Sequence, residues 1–167
     1  MDLVRFQEAV SSPCQSTQNY QDCCEPFHNQ TTAPTTAEQL MRSRYSAFVW
    51  QNIDYIVKTT APFEQHLLNV QAISDWAKQT DWVGLEVVKH TPKLGKRHAQ
   101  VEFKALFHTA DGTDCHHELS TFVKIGKDSE QKWYFLDPTV PLNISQKTPC
   151  PCGSGEKYKR CCGQFLD

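Results

Sequence analysis

The spacing of hydrophobic and polar positions along this chain changes near its middle. Between positions 35 and 80, apolar residues recur every three to four positions, as they do on one face of an α-helix. The first such face consists of Ala37, Met41, Tyr45 and Phe48. Thr35 and Glu38 form a capping box in front of it, so the pattern predicts a helix with Thr35 as its N-cap.

Two shorter helices are predicted to follow. Asn52 is placed to cap the first of them, whose apolar positions are Ile53, Ile56 and Val57. The second is predicted from Asn69 to about Thr80. Its apolar stripe consists of Val70, Ile73, Trp76 and Ala77.

From Trp82 onward, apolar and polar residues alternate, which is typical of β-strands. Three strands are predicted here, each with alternate residues on a common face. These faces consist of Val83, Leu85 and Val87; of Val101, Phe103, Ala105 and Phe107; and of Leu119, Thr121, Val123 and Ile125. Asp111 and Gly112 predict a hairpin between the second and third of these strands. A fourth strand is predicted at Trp133 to Leu136.

Helices followed by a four-stranded antiparallel meander indicate an α+β fold with the helices on one face of the sheet. The order is similar to the nuclear-transport-factor-like (cystatin-like) cone, in which a bent sheet wraps a long helix and leaves a cavity. Such scaffolds host enzymes, binding proteins and adaptors, so the fold does not determine the function.

Composition and charge narrow the function classes. The 167 residues are 39% hydrophobic and 22% charged, which is ordinary for a globular protein. A net charge of −2 provides no general attraction for nucleic acid. No apolar run approaches the roughly 20 residues of a membrane span, and the start of the chain does not resemble a signal peptide. We therefore expect a cytoplasmic protein with no membrane association.

Eight cysteines are distributed unevenly, with three between positions 14 and 24 and four between 150 and 162. In a reducing compartment, clustered cysteines favour metal binding over disulfides. Cys115 stands alone and is expected to be a small buried residue on a strand.

The two cysteine clusters belong to an internal repeat with a constant offset of 138 positions. The residues Pro13, Cys14, Ser16, Tyr20, Cys23, Cys24 and Phe27 match Pro151, Cys152, Ser154, Tyr158, Cys161, Cys162 and Phe165. This self-similarity indicates two copies of one unit.

The C-terminal copy has four candidate zinc ligands, Cys150, Cys152, Cys161 and Cys162. Four thiolates suit a closed tetrahedral zinc site, and Gly153 and Gly155 permit the sharp turns between them. The basic residues Lys157, Lys159 and Arg160 are expected to offset the negative charge of that site. Disulfides or a redox-active dithiol are the competing interpretations, although a bridge between the adjacent Cys161 and Cys162 would be strained.

The N-terminal copy has Ser12 at the position of the first cysteine. The thiols of Cys14, Cys23 and Cys24 remain, and His28 is the candidate for a fourth ligand. The alternative is a decayed repeat that keeps its turn without a metal.

The segment from Cys150 to Cys162 resembles the SEC-C motif, the zinc module named for the C-terminus of the SecA preprotein translocase. Together with the run from Ala37 to Ala47, it makes the whole chain similar to the bacterial YchJ family. The resemblance implies an N-terminal module at 1–30, a cone domain at 31–143 and a zinc module at 144–167. Related modules bind zinc and serve as docking sites, as in the contact of SecA with the SecB chaperone.

Candidate pocket residues in the cone are His108, His116, His117, Asp137, Arg42 and Arg44. His116 and His117 are adjacent, so on a strand only one of them faces a shared cavity. Arg42 and Arg44 diverge by about 200° on a helix, so they do not clamp one anion together. A structural role is favoured over a catalytic one for this set.

These observations favour an adaptor over an enzyme. The expected partner is a protein, such as a chaperone, a translocation component or a ribosome component, docking on the C-terminal zinc module beside an exposed Phe165 and Leu166. The alternative is a cone that binds a small molecule or catalyses a reaction with its histidine and aspartate residues.

Overall fold

The structure is a computed structural model that describes residues 10–166. In this part of the chain the helices are α1 (Glu25–His28), α2 (Ala37–Val49), α3 (Ile53–Lys58) and α4 (Val70–Gln79). The strands are β1 (Asp81–Leu94), β2 (His98–Thr109), β3 (Gly112–Ile125) and β4 (Lys132–Leu136). The predicted α+β fold is confirmed, with the short helix α1 as an addition.

The four strands form one antiparallel meander in the order β1-β2-β3-β4. The pairing of β1 with β2 shifts between Trp82 and Gly84, which bends the edge of the sheet. Because of this bulge, Trp82 packs against the core while Val83 is 37% exposed. The predicted common face of Val83, Leu85 and Val87 is therefore wrong at its first residue.

Strand β3 has the opposite orientation from the one that its apolar residues suggest. Its concave face carries His116, Glu118, Ser120 and Phe122. On the convex face, Leu119 is 58% exposed, whereas Val123 and Ile125 pack against the C-terminal module. The alternation of apolar and polar residues did not identify the inner face, because the second half of this strand is covered on both sides.

Helix α2 begins one residue later than predicted. Its N-cap is Thr36, whose hydroxyl accepts a hydrogen bond from the backbone N–H of Gln39 at 3.1 Å. The side chain of Gln39 accepts in return from the backbone N–H of Thr35 at 2.9 Å. Thr36 and Gln39 therefore take the place of the predicted pair Thr35 and Glu38, and Gln39 bonds the residue before the N-cap.

The predicted cap of α3 is confirmed, and α4 has a cap of the same kind. The side-chain oxygen of Asn52 accepts from the backbone N–H of Tyr55, and that of Asn69 accepts from the backbone N–H of Ala72. The apolar stripe predicted for α4 is only partly buried, since Val70 is 45% exposed and Trp76 is 43% exposed. Helix α4 therefore covers the edge of the cone and contributes Ala77 to its core.

Helix α2 crosses the concave face of the sheet and contacts β1, β2 and β4. The chain after α3 then lies beside the edge strand β4. The backbone N–H of Phe135 donates to the carbonyl of Thr59, and the backbone N–H of Ala61 donates to the carbonyl of Phe135, both at 2.8 Å. This pairing places Ala61 next to Leu136 in a second hydrophobic core, which packs against the C-terminal module.

Glu64 is a fully buried carboxyl group next to this second core. Its Oε1 accepts from the backbone N–H of Asp137 at 2.9 Å, while its Oε2 has no hydrogen-bond partner. Burial raises the pKa of Glu64 to about 8, and the charge of Asp137 adds to that shift. The side chain is therefore mostly protonated at neutral pH.

We predict that Glu64 makes folding less favourable as the pH rises. The folded pKa exceeds the unfolded value of 4.5, so stability is highest below that pH and is lost as the pH rises toward about 8. The free energy of unfolding should fall by at most about 1.4 kcal/mol per pH unit across this window. Urea titrations should show a weaker decline in Glu64→Gln, and an unchanged slope in that variant would contradict the prediction.

Candidate functional site

The four cysteines of the C-terminal module form one buried cluster. The Sγ atoms of Cys150, Cys152, Cys161 and Cys162 all lie within 4.8 Å of one another. A backbone bridge between Pro149 and Lys157 holds the two halves of the module together. Gly153 and Gly155 have φ values of 82° and 83°, the left-handed conformation that glycine adopts without strain.

The donor set fits a tetrahedral metal ion. Metal–sulfur bonds of about 2.3 Å place the sulfurs of a tetrahedral site about 3.8 Å apart. The Sγ atoms of Cys152 and Cys161 are 3.5 Å apart, close to that spacing. Hydrogen bonds from Cys150 and then from Cys162 lower the pKa of Cys152, so a first thiolate forms readily. The cluster is therefore suited to metal binding.

The cation that contacts this cluster is Arg97, which lies in the turn between β1 and β2 and not in the module. Nη1 of Arg97 lies 3.6 Å from Sγ of Cys161 and 3.3 Å from a carboxylate oxygen of Glu156. Nε2 of His98 lies 3.4 Å from Sγ of Cys162. The sequence prediction assigned this role to three exposed residues, Lys157, Lys159 and Arg160. It missed Arg97 and His98 because they are more than fifty positions away in the sequence.

The two residues expected to be exposed beside the module are half-buried. The ring of Phe165 lies 4.8 Å from the ring of His98, measured between centroids. Leu166 packs against the second core, which includes Val123 and Leu136. Both side chains attach the module to the convex face of the sheet, so they do not form the exposed docking surface that was expected.

The N-terminal module contains a cluster of three thiols. The Sγ atoms of Cys14, Cys23 and Cys24 lie within 4.8 Å of one another. The hydroxyl oxygen of Ser12 lies 3.2 Å from Sγ of Cys14 and 3.5 Å from Sγ of Cys24. Ser12 therefore occupies the fourth corner, which Cys150 occupies in the C-terminal copy.

His28 does not belong to this cluster, although the sequence made it the candidate for the fourth metal ligand. Its Nδ1 lies 2.6 Å from the hydroxyl of Tyr20, and its Nε2 lies 2.8 Å from the backbone carbonyl of Ser43. Both ring nitrogens are thus engaged in hydrogen bonds. The histidine links the N-terminal module to helix α2.

The two modules have the same backbone structure. The bridge between Ser11 and Asn19 corresponds to that between Pro149 and Lys157, and each copy has a short 3-10 helix that begins at its tyrosine. The Ser16 hydroxyl contacts Sγ of Cys23 at 3.0 Å, and the equivalent distance in the C-terminal copy is 3.3 Å. The sequence repeat is therefore also a structural repeat.

The N-terminal copy keeps this structure without glycine. Gln15 and Thr17 have φ values of 57° and 72° at the positions of Gly153 and Gly155. Such conformations cost roughly 1–2 kcal/mol for each residue with a side chain. Gln15 is held by a hydrogen bond from the backbone N–H of Leu85 to its side-chain oxygen, at 3.0 Å.

The cone encloses a cavity of about 390 Å³ between its helices and its sheet. Of the predicted pocket residues, Arg44, His116 and Asp137 line it. Glu118, Ser120 and Thr60 also line it and were not predicted. Glu118 and Ser120 were missed because the more apolar face of β3, which carries Leu119 and Val123, is the convex one. The aromatic lining residues are Tyr45, Phe48, Trp76, Trp82, Phe103, Phe122 and Phe135.

The other predicted pocket residues lie elsewhere. His117 is on the convex face, where its Nε2 lies 2.8 Å from a carboxylate oxygen of Glu102. His108 is exposed near the hairpin, with its Nδ1 3.3 Å from the hydroxyl of Thr113. Arg42 donates from Nη1 to the backbone carbonyl of Cys14 at 2.7 Å.

Cys115 also lies outside both clusters. It is exposed on β3, so the expectation of a buried residue is wrong. The first four residues of this strand are all exposed, so its side chains there meet solvent.

Comparison with known proteins identifies the family. The model described as the YchJ middle NTF2-like domain matches residues 36–138, more than half of the chain. The chain belongs to the YchJ family. The SEC-C motif matches residues 148–164, which contain the four-cysteine cluster. The predicted nuclear-transport-factor-like fold and the predicted family are both confirmed.

Relatives of similar length support this assignment. UPF0225 proteins of Actinobacillus succinogenes and Haemophilus influenzae are 53% identical to this YchJ family member over 154 residues. That alignment covers 92% of this chain, 97% of the first relative and 92% of the second.

Two solved structures have the same fold. A SEC-C motif containing protein from Psychrobacter arcticus is 58% identical, with a TM-score of 0.89 over 92% of this chain and 96% of that one. A SEC-C motif containing protein from Rhodopseudomonas palustris is 33% identical, with a TM-score of 0.66 over 75% of this chain and 94% of that one. None of the helices within residues 10–166 is long and apolar enough to cross a membrane.

We predict that Ser12→Cys strengthens metal binding at the N-terminal module. The substitution places a fourth thiol at the corner that the serine hydroxyl occupies, and thiolate binds zinc-like ions better than a neutral hydroxyl does. Competition with a chromophoric chelator should show at least about tenfold tighter binding at this site. Ser11→Cys is the control, because Ser11 is exposed beside the cluster. Equal metal affinity of the two variants would contradict the prediction.

Proposed function

We propose that this protein holds a structural zinc ion in its C-terminal module and binds a small molecule in its cone. The first part rests on the closed, buried four-thiol cluster, and the second rests on the cavity next to Arg44. In this proposal the zinc stabilises the fold, and the cavity carries the recognition. A cytoplasmic location, where thiols stay reduced, fits the free cysteines.

Zinc is the metal that this donor set favours. Four cysteine thiolates with no carboxylate or open position are typical of structural zinc. The contacts of His98 with Cys162 and of Arg97 with Cys161 orient the thiols, and the guanidinium of Arg97 offsets part of their charge. The ion would supply the energy that folds a segment of fewer than twenty residues.

We predict that Cys152→Ser removes about one equivalent of zinc and lowers the thermal unfolding midpoint. One of the four thiolates is lost, and the module then no longer covers Val123 and Leu136. Elemental analysis of protein purified without added zinc measures the metal. Cys115→Ser is the matched control, because that thiol is exposed and outside both clusters. Equal zinc content in the two variants would be incompatible with the proposal.

The cavity suits binding better than catalysis. Glu118 lies between two groups, with its Oε2 3.0 Å from the hydroxyl of Ser120 and 3.7 Å from Nε2 of His116. An activated serine instead needs the histidine next to its hydroxyl and the carboxylate behind the histidine. The ring of His116 also packs edge-on against Trp76, with centroids 5.3 Å apart. These residues therefore supply fixed polar groups, but they do not form a serine nucleophile activated by a histidine base.

We predict that the neutral dye N-phenyl-1-naphthylamine binds in the cavity with saturable fluorescence enhancement. Its size matches a cavity of about 390 Å³ with aromatic walls. Ala72→Trp should abolish binding, because Ala72 lines the cavity from α4. Gln71→Trp is the control, since this neighbour is exposed and does not line the cavity. Equal binding by both variants would place the dye elsewhere.

An adaptor role is the second candidate function. It is supported by Lys157, Lys159 and Arg160, which are exposed on the module and have no carboxylate within 4.0 Å in residues 10–166. The proposed partner is a protein with an acidic surface, such as a chaperone, a translocation component or a ribosome component.

We predict that the double variant Lys157→Glu/Lys159→Glu fails to capture protein partners that the control variant Lys78→Glu/Lys89→Glu still captures. Affinity capture measures this difference, and identical partner profiles would exclude the adaptor role.

A further inference from the structure

The guanidinium of Arg44 is a buried cation without a carboxylate partner. The residue is only 9% exposed and lines the cavity. Within residues 10–166, no carboxylate oxygen lies within 4.0 Å of it. A buried charge is costly unless it is paired, so its position at a cavity wall requires an explanation.

All the hydrogen bonds of Arg44 leave from one nitrogen and reach uncharged oxygens. Nη1 donates to the backbone carbonyl of Ile56 at 2.8 Å, to the hydroxyl of Thr59 at 2.7 Å and to that of Thr60 at 3.4 Å. No acceptor for Nε or Nη2 is present in the described part of the chain. These two nitrogens carry three of the five N–H donors in the fork geometry that matches a carboxylate.

The acidic groups of the cavity are engaged by their own neighbours. Glu118 accepts from Ser120, and Oδ1 of Asp137 accepts from both the backbone N–H and the hydroxyl of Thr139. Glu64, the other carboxyl that influences Arg44, lies behind the cavity and bonds to the backbone of Asp137. None of the three pairs with the guanidinium directly.

We propose that the cone cavity binds a small organic carboxylate with a flat apolar body, and that the ligand carboxylate pairs with Nε and Nη2 of Arg44. The proposal rests on the proposed small-molecule function and specifies its ligand class. The ring of Phe135 lies under the guanidinium, with its centroid 4.5 Å from Cζ, and fixes the plane of the fork.

The remaining walls fit the apolar body of such a ligand. Phe48, Trp76 and Trp82 meet edge to face, with centroids 5.2–6.2 Å apart, and form one side of the cavity. Phe103 and Phe122 line it from the sheet. Rigid aromatic walls with one charged group at the end are typical of sites for small amphipathic ligands.

The test compares three probes of one shape, 2-naphthoate, 2-naphthamide and 2-naphthylmethylamine, by isothermal titration calorimetry on the full chain. We expect 2-naphthoate to bind at least about tenfold more tightly than the amide, because it gains charge-assisted hydrogen bonds. Arg44→Met should reduce this ratio to less than about threefold, and Arg44→Lys should leave an intermediate ratio. Arg42→Met is the control, since Arg42 lies on the same helix but does not line the cavity.

The possible outcomes separate the two proposals. Equal or tighter binding of the amide or the amine would overturn the carboxylate assignment and leave the cavity as a binding site. If neither these probes nor N-phenyl-1-naphthylamine bind, both proposals fail. If Arg44→Met does not fold, as judged by near-ultraviolet circular dichroism, the ratio measured on the unsubstituted protein still decides the ligand class.

Discussion

The polar groups of helix α2 connect the N-terminal module to the cone and its cavity. Ser43 and Ser46 are fully buried, and Arg44 is nearly so. The carbonyl of Ser43 contacts His28, and the hydroxyl of Ser46 donates to Sγ of Cys24 at 3.3 Å. Arg42 extends to the backbone of the N-terminal module, and Arg44 extends into the cavity. Because buried polar groups need partners, this helix restricts where the module and the cavity wall can lie.

The two cysteine modules show how one backbone is maintained by different means. The C-terminal copy has four thiols and two glycines, so both its donors and its turns are intrinsically suited to the structure. The N-terminal copy has three thiols and strained turns, and it depends on contacts with the cone through Gln15 and His28. A metal ion and tertiary contacts are alternative ways of offsetting the conformational entropy of a short segment.

The C-terminal module and the cavity lie on opposite faces of the sheet. His98 and Val123, a cross-strand pair of β2 and β3, contact the C-terminal module from the convex face. Phe122, the residue next to Val123, faces the cavity. Neighbouring residues on a strand point to opposite faces, so the sheet separates the four-thiol cluster from the cavity. This separation fits a structural role for the metal and a recognition role for the cone.

Sequence alone determined the features that depend on local spacing. These are the α+β order, the Asn52 cap, the family and the two cysteine clusters, since each is encoded in local spacing along the chain. Tertiary structure decided what depends on contacts between distant segments. Arg97 and His98 reach the C-terminal thiols across the fold, His28 turns away from its cluster, and β3 directs Glu118 and Ser120 inward. The physical reason is that a side chain's partner is set by packing between elements, which periodicity within one element does not encode.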